Sequence, residues 1–238
     1  MRQLLPAYAE DVDLAAAYAY PEARPWVRAN MVSSLDGSAT FGGRSSGLSG
    51  PADQEVFAAL RALADVVLVG AGTARIEGYR APRPKPRFAG LRADLGLSPA
   101  PRLALVSASL GLDPAGPLFD GAQPTIVLTT ETAPADRRAR LAAVADVVTA
   151  GEVAVDAEAA VGALHARGLD RILCEGGPSL LGALLTAGRV DELCLTVSPV
   201  TVGGDSLRIT QGPAHHHDFA LAGLVEADGA LFVRYVRG

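Results

Sequence analysis

The chain has 238 residues, 49% of them apolar, with mean hydropathy +0.24, which is enough for one sizeable core and suits a single α/β domain. A formal net charge of −5 and a pI near 5.4 leave no general basic surface, so no nucleic-acid partner is expected and any anion site has to be local. No segment reaches the roughly 18 apolar residues of a membrane span and the N-terminus has no continuous apolar run, so the expected setting is cytoplasmic, without a membrane partner.

Residues 1–25 read as a partly polar N-terminal arm, followed by one domain over 26–238. A strand is expected from Trp26 to Val32, then a loop through Ser33-Ser34-Leu35-Asp36-Gly37. The glycine-rich stretch that follows contains Gly43-Arg44-Ser45-Ser46-Gly47, which fits the G-x-S-x-G pattern of a hydrolase nucleophile elbow. That motif needs a strand running into the serine and a helix leaving it, and Leu48-Ser49-Gly50-Pro51 intervenes before any helical pattern. A loop of this kind can instead wrap an anion with hydroxyls and backbone N–H groups. Pro51 opens a helix whose Val56, Phe57, Leu60 and Leu63 recur on one face.

"ADVVLVG" is a continuous apolar run, as expected of a strand buried on both faces, and it ends in the turn "GAGT". Residues 80–101, rich in proline and arginine, read as an irregular loop. "RLALVS" and "TIVLTT" follow as strands, then helices near 134–143 and 156–167 around a short "DVVTA" strand, then the strand "RILC" leading into "EGG". Pro178 starts a helix that Gly188 ends. "DELCLTVSPVTV" and a hairpin around Asp228-Gly229 complete the chain. Strands alternating with helices imply a parallel sheet, with an antiparallel C-terminal edge.

Two strand-to-helix turns combine glycines with a hydroxyl: Gly70-Ala71-Gly72-Thr73 and Glu175-Gly176-Gly177-Pro178-Ser179. Glycines allow close backbone approach to a phosphate, and free N–H groups at helix starts supply partial positive charge. A Rossmann fingerprint would need a further glycine where Arg75 stands, so packing alone remains an alternative for each turn. Glu175 follows an apolar strand, which puts a carboxylate at the ligand-facing edge of the sheet. Asp36 lies in a serine-rich turn, where either a site role or a local Asx turn is open. The chain has twenty arginines and one lysine, Lys85, which excludes a Walker loop and a Y-x-x-x-K pair. Cys174 and Cys194 sit in apolar runs as buried thiols. His215-His216-His217 alternate in direction and make no metal site, so no metal is expected.

In order along the chain, "SSLDG", "GRSSGLSGPADQEVFAALRALADVVLVGAGTA", "CEGGPSLLGALLTAGRVDELCLTVSP" and "VGGD" resemble the C-terminal reductase domain of the bacterial riboflavin-biosynthesis enzyme RibD. The likeness is strongest to stand-alone actinobacterial members of this group. It implies a dihydrofolate-reductase-like α/β fold and a nicotinamide cofactor, NADPH, lying across the sheet edge. Ser49, Gly72, Thr73, Glu77, Gly176, Gly177, Pro178, Ser179 and Leu180 take the cofactor positions. Ser45 and Arg61 take the positions that hold substrate phosphate, which makes Ser45 an anion clamp. Asn30 stands where the family has a substrate-facing lysine, and Glu175 takes the place of a substrate-binding carboxylate. Glu175 and Asp36 are the expected catalytic residues, with Glu175 facing a crevice and clear of the packed core.

The implied reaction is reduction of a ribosylaminouracil phosphate at ribose C1′. A pteridine or dihydrofolate reductase and a non-catalytic NADPH-binding regulator are the alternatives, and a serine hydrolase ranks behind them. The H-x-E and P-C-x-x-C signatures of the family's zinc deaminase are absent, so deamination is not expected of these residues. A homodimer is expected, partly from the resemblance and partly because the alternating "LFVRYV" strand suggests a sheet edge in need of cover.

Overall fold

A computed structural model describes residues 1–23 and 25–238. In chain order the elements are β1 (Arg2–Leu5), α1 (Leu14–Ala17), β2 (Trp26–Ser34), α2 (Pro51–Leu63), β3 (Val66–Gly70), α3 (Ala71–Ile76), α4 (Ala89–Asp94), β4 (Arg102–Val106), β5 (Thr125–Thr129) and α5 (Ala135–Ala142). They continue as β6 (Ala145–Thr149), α6 (Ala157–His165), β7 (Arg171–Cys174), α7 (Pro178–Thr186), β8 (Glu192–Ser198), β9 (Phe219–Ala227) and β10 (Ala230–Arg237). The strands form one sheet in the order β1-β9-β10-β8-β2-β7-β3-β4-β5-β6. Pairing is parallel from β8 across to β6 and antiparallel among β8, β10, β9 and β1.

The apolar run of β3 shows why the centre of the sheet is doubly covered. Successive strand residues point to opposite faces. Val66 and Leu68 pack with α6 and α7 through Val161, Leu164, Leu181 and Leu184, whereas Val67 and Val69 pack with α2 through Val56, Leu60 and Leu63. With a helix layer on each face, no position in β3 is left for a polar residue. Parallel pairing of β3 with β7 then brings the "GAGT" and "EGGPS" turns to the same end of adjacent strands. The N–H of Gly70 donates to the Gly176 carbonyl at 2.8 Å and ties the two turns together.

Three expectations are revised. Residues 80–101 are not wholly irregular: they contain a 3₁₀ turn at Pro86–Phe88 and the short helix α4. Arg92 explains the ordering, since its buried guanidinium donates to the carbonyls of Ala62 and Ala64 at 2.9 Å and locks α4 to the end of α2. The loop expected after Val32 begins later, because β2 stays paired with β8 through Ser34. The edge argument for a homodimer also falls. β10 lies between β8 and β9, and β1, from the segment expected as an N-terminal arm, pairs along β9. The hairpin itself forms at Asp228-Gly229, where φ values of 53° and 79° match the left-handed conformation of a tight hairpin turn.

Beneath the antiparallel half lies a buried charge cluster. Glu192 is 0% exposed and accepts from Trp26 Nε1 at 2.9 Å, Arg28 Nη2 at 3.0 Å and Arg234 Nε at 2.8 Å. Arg28 also stacks over the Tyr20 ring, 4.0 Å from its centroid. Burial pushes the Glu192 carboxyl up, but the two arginines outweigh this and hold it below the ordinary glutamate range. Removing one member of such a cluster leaves uncompensated buried charge. Glu192→Ala should therefore cost about 3–5 kcal/mol in chemical denaturation at neutral pH. Because the folded carboxyl titrates low, its contribution is complete above the ordinary glutamate pKa of about 4.3 and is lost as pH falls through the folded value. The gap between wild type and variant should accordingly close in acid. An unchanged gap at low pH would contradict this assignment.

Candidate active site

A cleft of about 680 Å³ opens at the C-terminal ends of β2, β7 and β3, the ligand-facing edge of a parallel sheet. Its lining includes Asn30, Ser45, Ser49, Arg61, Thr73, Glu77, Glu175, Gly177 and Pro178. Segments more than a hundred residues apart thus converge on one space. Gly72, Gly176, Ser179 and Leu180 do not line it. Ser179 is exposed, and Leu180 packs its side chain against the core.

Glu175 is the best-anchored group in the cleft. Its N–H donates to Leu68 O at 2.9 Å, extending the β7–β3 ladder by one residue and fixing the carboxylate at the strand end. Arg61 grips it bidentately, Nε to Oε1 and Nη2 to Oε2, both at 2.7 Å. The Tyr79 hydroxyl donates to Oε2 at 2.6 Å. The Arg61 guanidinium in turn lies 4.3 Å from the Phe57 ring centroid and 5.2 Å from that of Tyr79. Phe57 and Arg61 are one helical turn apart on α2, so the helix delivers both. Burial acts against the charge of Arg61, but Glu175 more than compensates and raises its pKa further. Burial, then the Glu175 charge, pushes the Tyr79 hydroxyl well above its ordinary range, so it stays a hydrogen-bond donor at neutral pH.

This geometry changes two expectations. Glu175 is not clear of the packed structure: its side chain is only 2% exposed and is held from both sides. Arg61, expected at a phosphate, spends its bidentate face on Glu175. Asp36 is a third departure, for it does not line the cleft. It accepts from the Ser34 hydroxyl at 2.5 Å and from the N–H groups of Val202 and Gly203 at 3.1 and 2.7 Å. These bonds, the Ser34 hydroxyl foremost, lower its pKa to about 2. Asp36 therefore pins the loop after β8 to the end of β2, the local structural role left open by its serine-rich turn.

Ser45 begins a 3₁₀ turn, Ser45–Gly47, well beyond the end of β2. No strand leads into it and no histidine lines the cleft, so it has neither the elbow nor the base of a serine nucleophile. Its N–H donates to Glu77 Oε1 at 2.8 Å, which joins the glycine loop to the end of α3. Ser49 bonds Asp53, whose other oxygen accepts from Thr196 on β8 at 2.6 Å. Asn30 sits half-buried on β2. Among the described residues no cluster of His, Cys, Asp or Glu could hold a metal, and both cysteines are buried and free.

Sequence reasoning missed Tyr79, Phe57 and Asp53 as parts of the site. The spacing of Phe57 and Arg61 was a usable signal for a stacked pair, while nothing in the pattern around Tyr79 pointed to Glu175.

Gly177 has a steric duty that the sequence does not show: a Cβ built there would collide with Thr73 Oγ1. The two turns are thus packed too closely for a side chain. Gly177→Ala should destabilise by about 1–3 kcal/mol, typical of overpacking. Thr73→Ala in the same chain should restore most of the lost melting temperature. An additive double variant would show that the two turns are not in contact.

The profile of the RibD C-terminal domain family matches residues 25–229. A 2,5-diamino-6-ribosylamino-4(3H)-pyrimidinone 5′-phosphate reductase from Methanothermobacter thermautotrophicus is 32% identical over 185 residues, spanning 78% of this chain and 82% of the relative. A reductase of the same name from Archaeoglobus fulgidus is 28% identical over 191 residues, 79% and 87% of the two chains. A pyrimidine reductase-like protein from Corynebacterium diphtheriae superposes with a TM-score of 0.83 at 31% identity, covering 90% of this chain and 92% of its own. A riboflavin biosynthesis reductase from Saccharomyces shares the fold, with a TM-score of 0.67 at 16% identity over 94% of each chain. With this fold, this cleft and these relatives, the chain belongs to the RibD C-terminal domain family and has its dihydrofolate-reductase-like architecture.

Proposed function

We propose that this protein is an NADPH-dependent reductase of a ribosylaminopyrimidine 5′-phosphate in riboflavin synthesis, acting at ribose C1′. The observation that carries the reading is Glu175, a carboxylate fixed by Arg61 and Tyr79 beside two joined glycine turns in one cleft. The turns fit a dinucleotide. A Cβ built at Gly72 meets nothing within 4 Å, so the space above it is open. The nine-residue helix α7 begins with Gly177 and Pro178 and no side chain caps its first N–H groups, which suits an anionic phosphate there.

When bound, NADPH would supply the hydride, and the protein's task is to hold and orient. Glu175 accepts three hydrogen bonds from Arg61 and Tyr79, fewer than the about four lone-pair sites of a carboxylate. The remainder can accept from an N–H or hydroxyl of the substrate. Since both partners are donors, the carboxylate is fixed in direction, and its role is to position the substrate. Asn30, on the neighbouring strand β2, offers an amide that can both donate and accept, as a heterocycle edge requires.

The aminouracil phosphate is the first candidate substrate from the sequence. The names of the curated relatives favour the 2,5-diaminopyrimidinone phosphate as a second reading. Side-by-side NADPH oxidation with both compounds separates them. A homodimer belongs to the same proposal, and it draws support from the sheet rather than from a free edge. Leu193, Leu195 and Val197 of β8 face Tyr235, Val233 and Leu231 of β10 in register, making one half-exposed apolar surface. Sedimentation at micromolar concentration should give twice the 24.4 kDa chain mass.

Glu175→Gln tests the reading directly. Turnover with the correct pyrimidine should fall roughly 10²-fold or more while NADPH affinity holds. The melting temperature should also drop, because Arg61 loses its charged partner. Near-normal turnover would remove Glu175 from the substrate site.

A further inference from the structure

A second carboxylate in the cleft, besides Glu175, is fixed in direction. Asp53, in the first turn of α2, accepts at Oδ2 from the Ser49 hydroxyl and at Oδ1 from the Thr196 hydroxyl, the latter at 2.6 Å. Thr196 is 2% exposed and stands on β8 in register with Val32 of β2, which also lines the cleft. Among the described residues these two hydroxyls are the only side-chain partners of Asp53, with no cation and no helix N–H among them. An acid serving only the start of α2 would turn to the free N–H groups there. Asp53 turns away from them.

Counting acceptors separates the carboxylates that line the cleft, Asp53, Glu77 and Glu175. A carboxylate offers about four lone-pair sites, two on each oxygen. One hydroxyl on each oxygen of Asp53 leaves one site free on each, two acceptors side by side. Glu175 has Arg61 Nε on Oε1 and both Arg61 Nη2 and Tyr79 on Oε2, so a single acceptor is left. Glu77 is held at one oxygen only, by the Ser45 N–H. Asp53 is thus the one of these three that is anchored at both oxygens and open at both. Asp53, Phe57 and Arg61 lie at successive turns of α2 and all line the cleft, so Asp53 stands about 11 Å along the helix from the arginine that holds Glu175. The Phe57 ring between them offers an apolar wall to a flat heterocycle.

We propose that Asp53 is the specificity residue that reads C2 of the pyrimidine, accepting from a 2-amino group and the adjacent ring N–H together, so that this chain selects the 2,5-diaminopyrimidinone phosphate over the aminouracil phosphate. This rests on the reading above that the substrate is a ribosylaminopyrimidine. A 2-amino-4(3H)-pyrimidinone presents two N–H donors side by side, which match the two open acceptors of Asp53. A uracil keeps the ring N–H but carries an oxygen at C2. That oxygen would face an acceptor already anchored by a hydroxyl, and a site built for a donor rejects the analogue that lacks it. Ser49 and Thr196 each spend their one hydroxyl hydrogen on Asp53, so neither can donate to a C2 oxygen without releasing the carboxylate.

The test uses the full chain and the two phosphates themselves, measuring kcat/KM for each and calorimetric affinity in the presence of NADP⁺, for wild type and Asp53→Asn. Asparagine keeps the size and turns one of the two acceptors into a donor, which suits the ring N–H and C2 oxygen of a uracil; the Ser49 and Thr196 hydroxyls can rotate to accept from the new amide. Wild type should favour the 2-amino compound by roughly 10-fold or more, the scale expected when a hydrogen-bonding site loses its donor. Asp53→Asn should abolish or invert that ratio with NADPH affinity unchanged. Should Asp53→Asn fail to bind NADPH, Thr196→Val takes its place: it keeps the carboxylate, releases the Oδ1 anchor and should lower the same ratio. Equal use of the two phosphates by wild type, or a preference for the uracil compound, overturns the assignment and leaves the pyrimidine-reductase reading standing. A ratio that survives in Asp53→Asn, or in Thr196→Val where that variant stands in, also overturns it, because C2 is then read elsewhere. If wild type binds and reduces neither phosphate, the proposed function fails and the assignment fails with it.

Discussion

The bidentate grip of Arg61 on Glu175 is the contact around which the cleft is organised. It joins the last turn of α2 to the residue just past β7, across 114 positions of sequence. A charge pair this enclosed recovers its desolvation cost only when the geometry is good and the remaining donors and acceptors are satisfied. Here both guanidinium bonds are 2.7 Å, Tyr79 adds a third, and Phe57 covers the guanidinium face. The same pair that stabilises the cleft wall therefore fixes the direction of its central carboxylate.

That arrangement depends on the sheet beneath it. Glu175 lies at the cleft because β7 is inserted between β2 and β3, an order that brings chain segments around 30, 70 and 175 side by side. The glycine turns follow from the same insertion. With Gly70 bonded to Gly176, the β3 and β7 turns are tied together, and Gly177 is a packing requirement against Thr73.

The molecule uses its buried charges in two ways. The Glu192 cluster, with Arg28 and Arg234, is closed: it holds the antiparallel strands, the N-terminal segment and β2 together beneath the surface. The Glu175 cluster is built from the same chemistry but opens on one side to the cleft. Placement at the cleft, rather than the residue types, distinguishes the two clusters. Asp36 lies outside the cleft, and its exposed carboxylate is engaged by Ser34 and two backbone N–H groups.

Sequence alone determined the elements whose cause is local or periodic. The apolar run of β3, the one-sided pattern of α2, the proline start of α7 and the Asp228-Gly229 turn each form for reasons contained within a few residues, and the ordered motifs were enough to indicate the family. Position at a strand end was likewise legible for Glu175. What the tertiary structure decided were the partners: Arg61 on Glu175 rather than free in the cleft, Tyr79 beside them, Asp36 turned to the loop after β8, β1 closing β9, and Arg92 ordering the segment after residue 80. The physical reason is that hydrogen bonds and ion pairs are short-range, so a side chain's role is fixed by which distant segment arrives within about 3 Å of it. Periodicity shows which face of an element is buried, and the strand order of the sheet determines what that face meets.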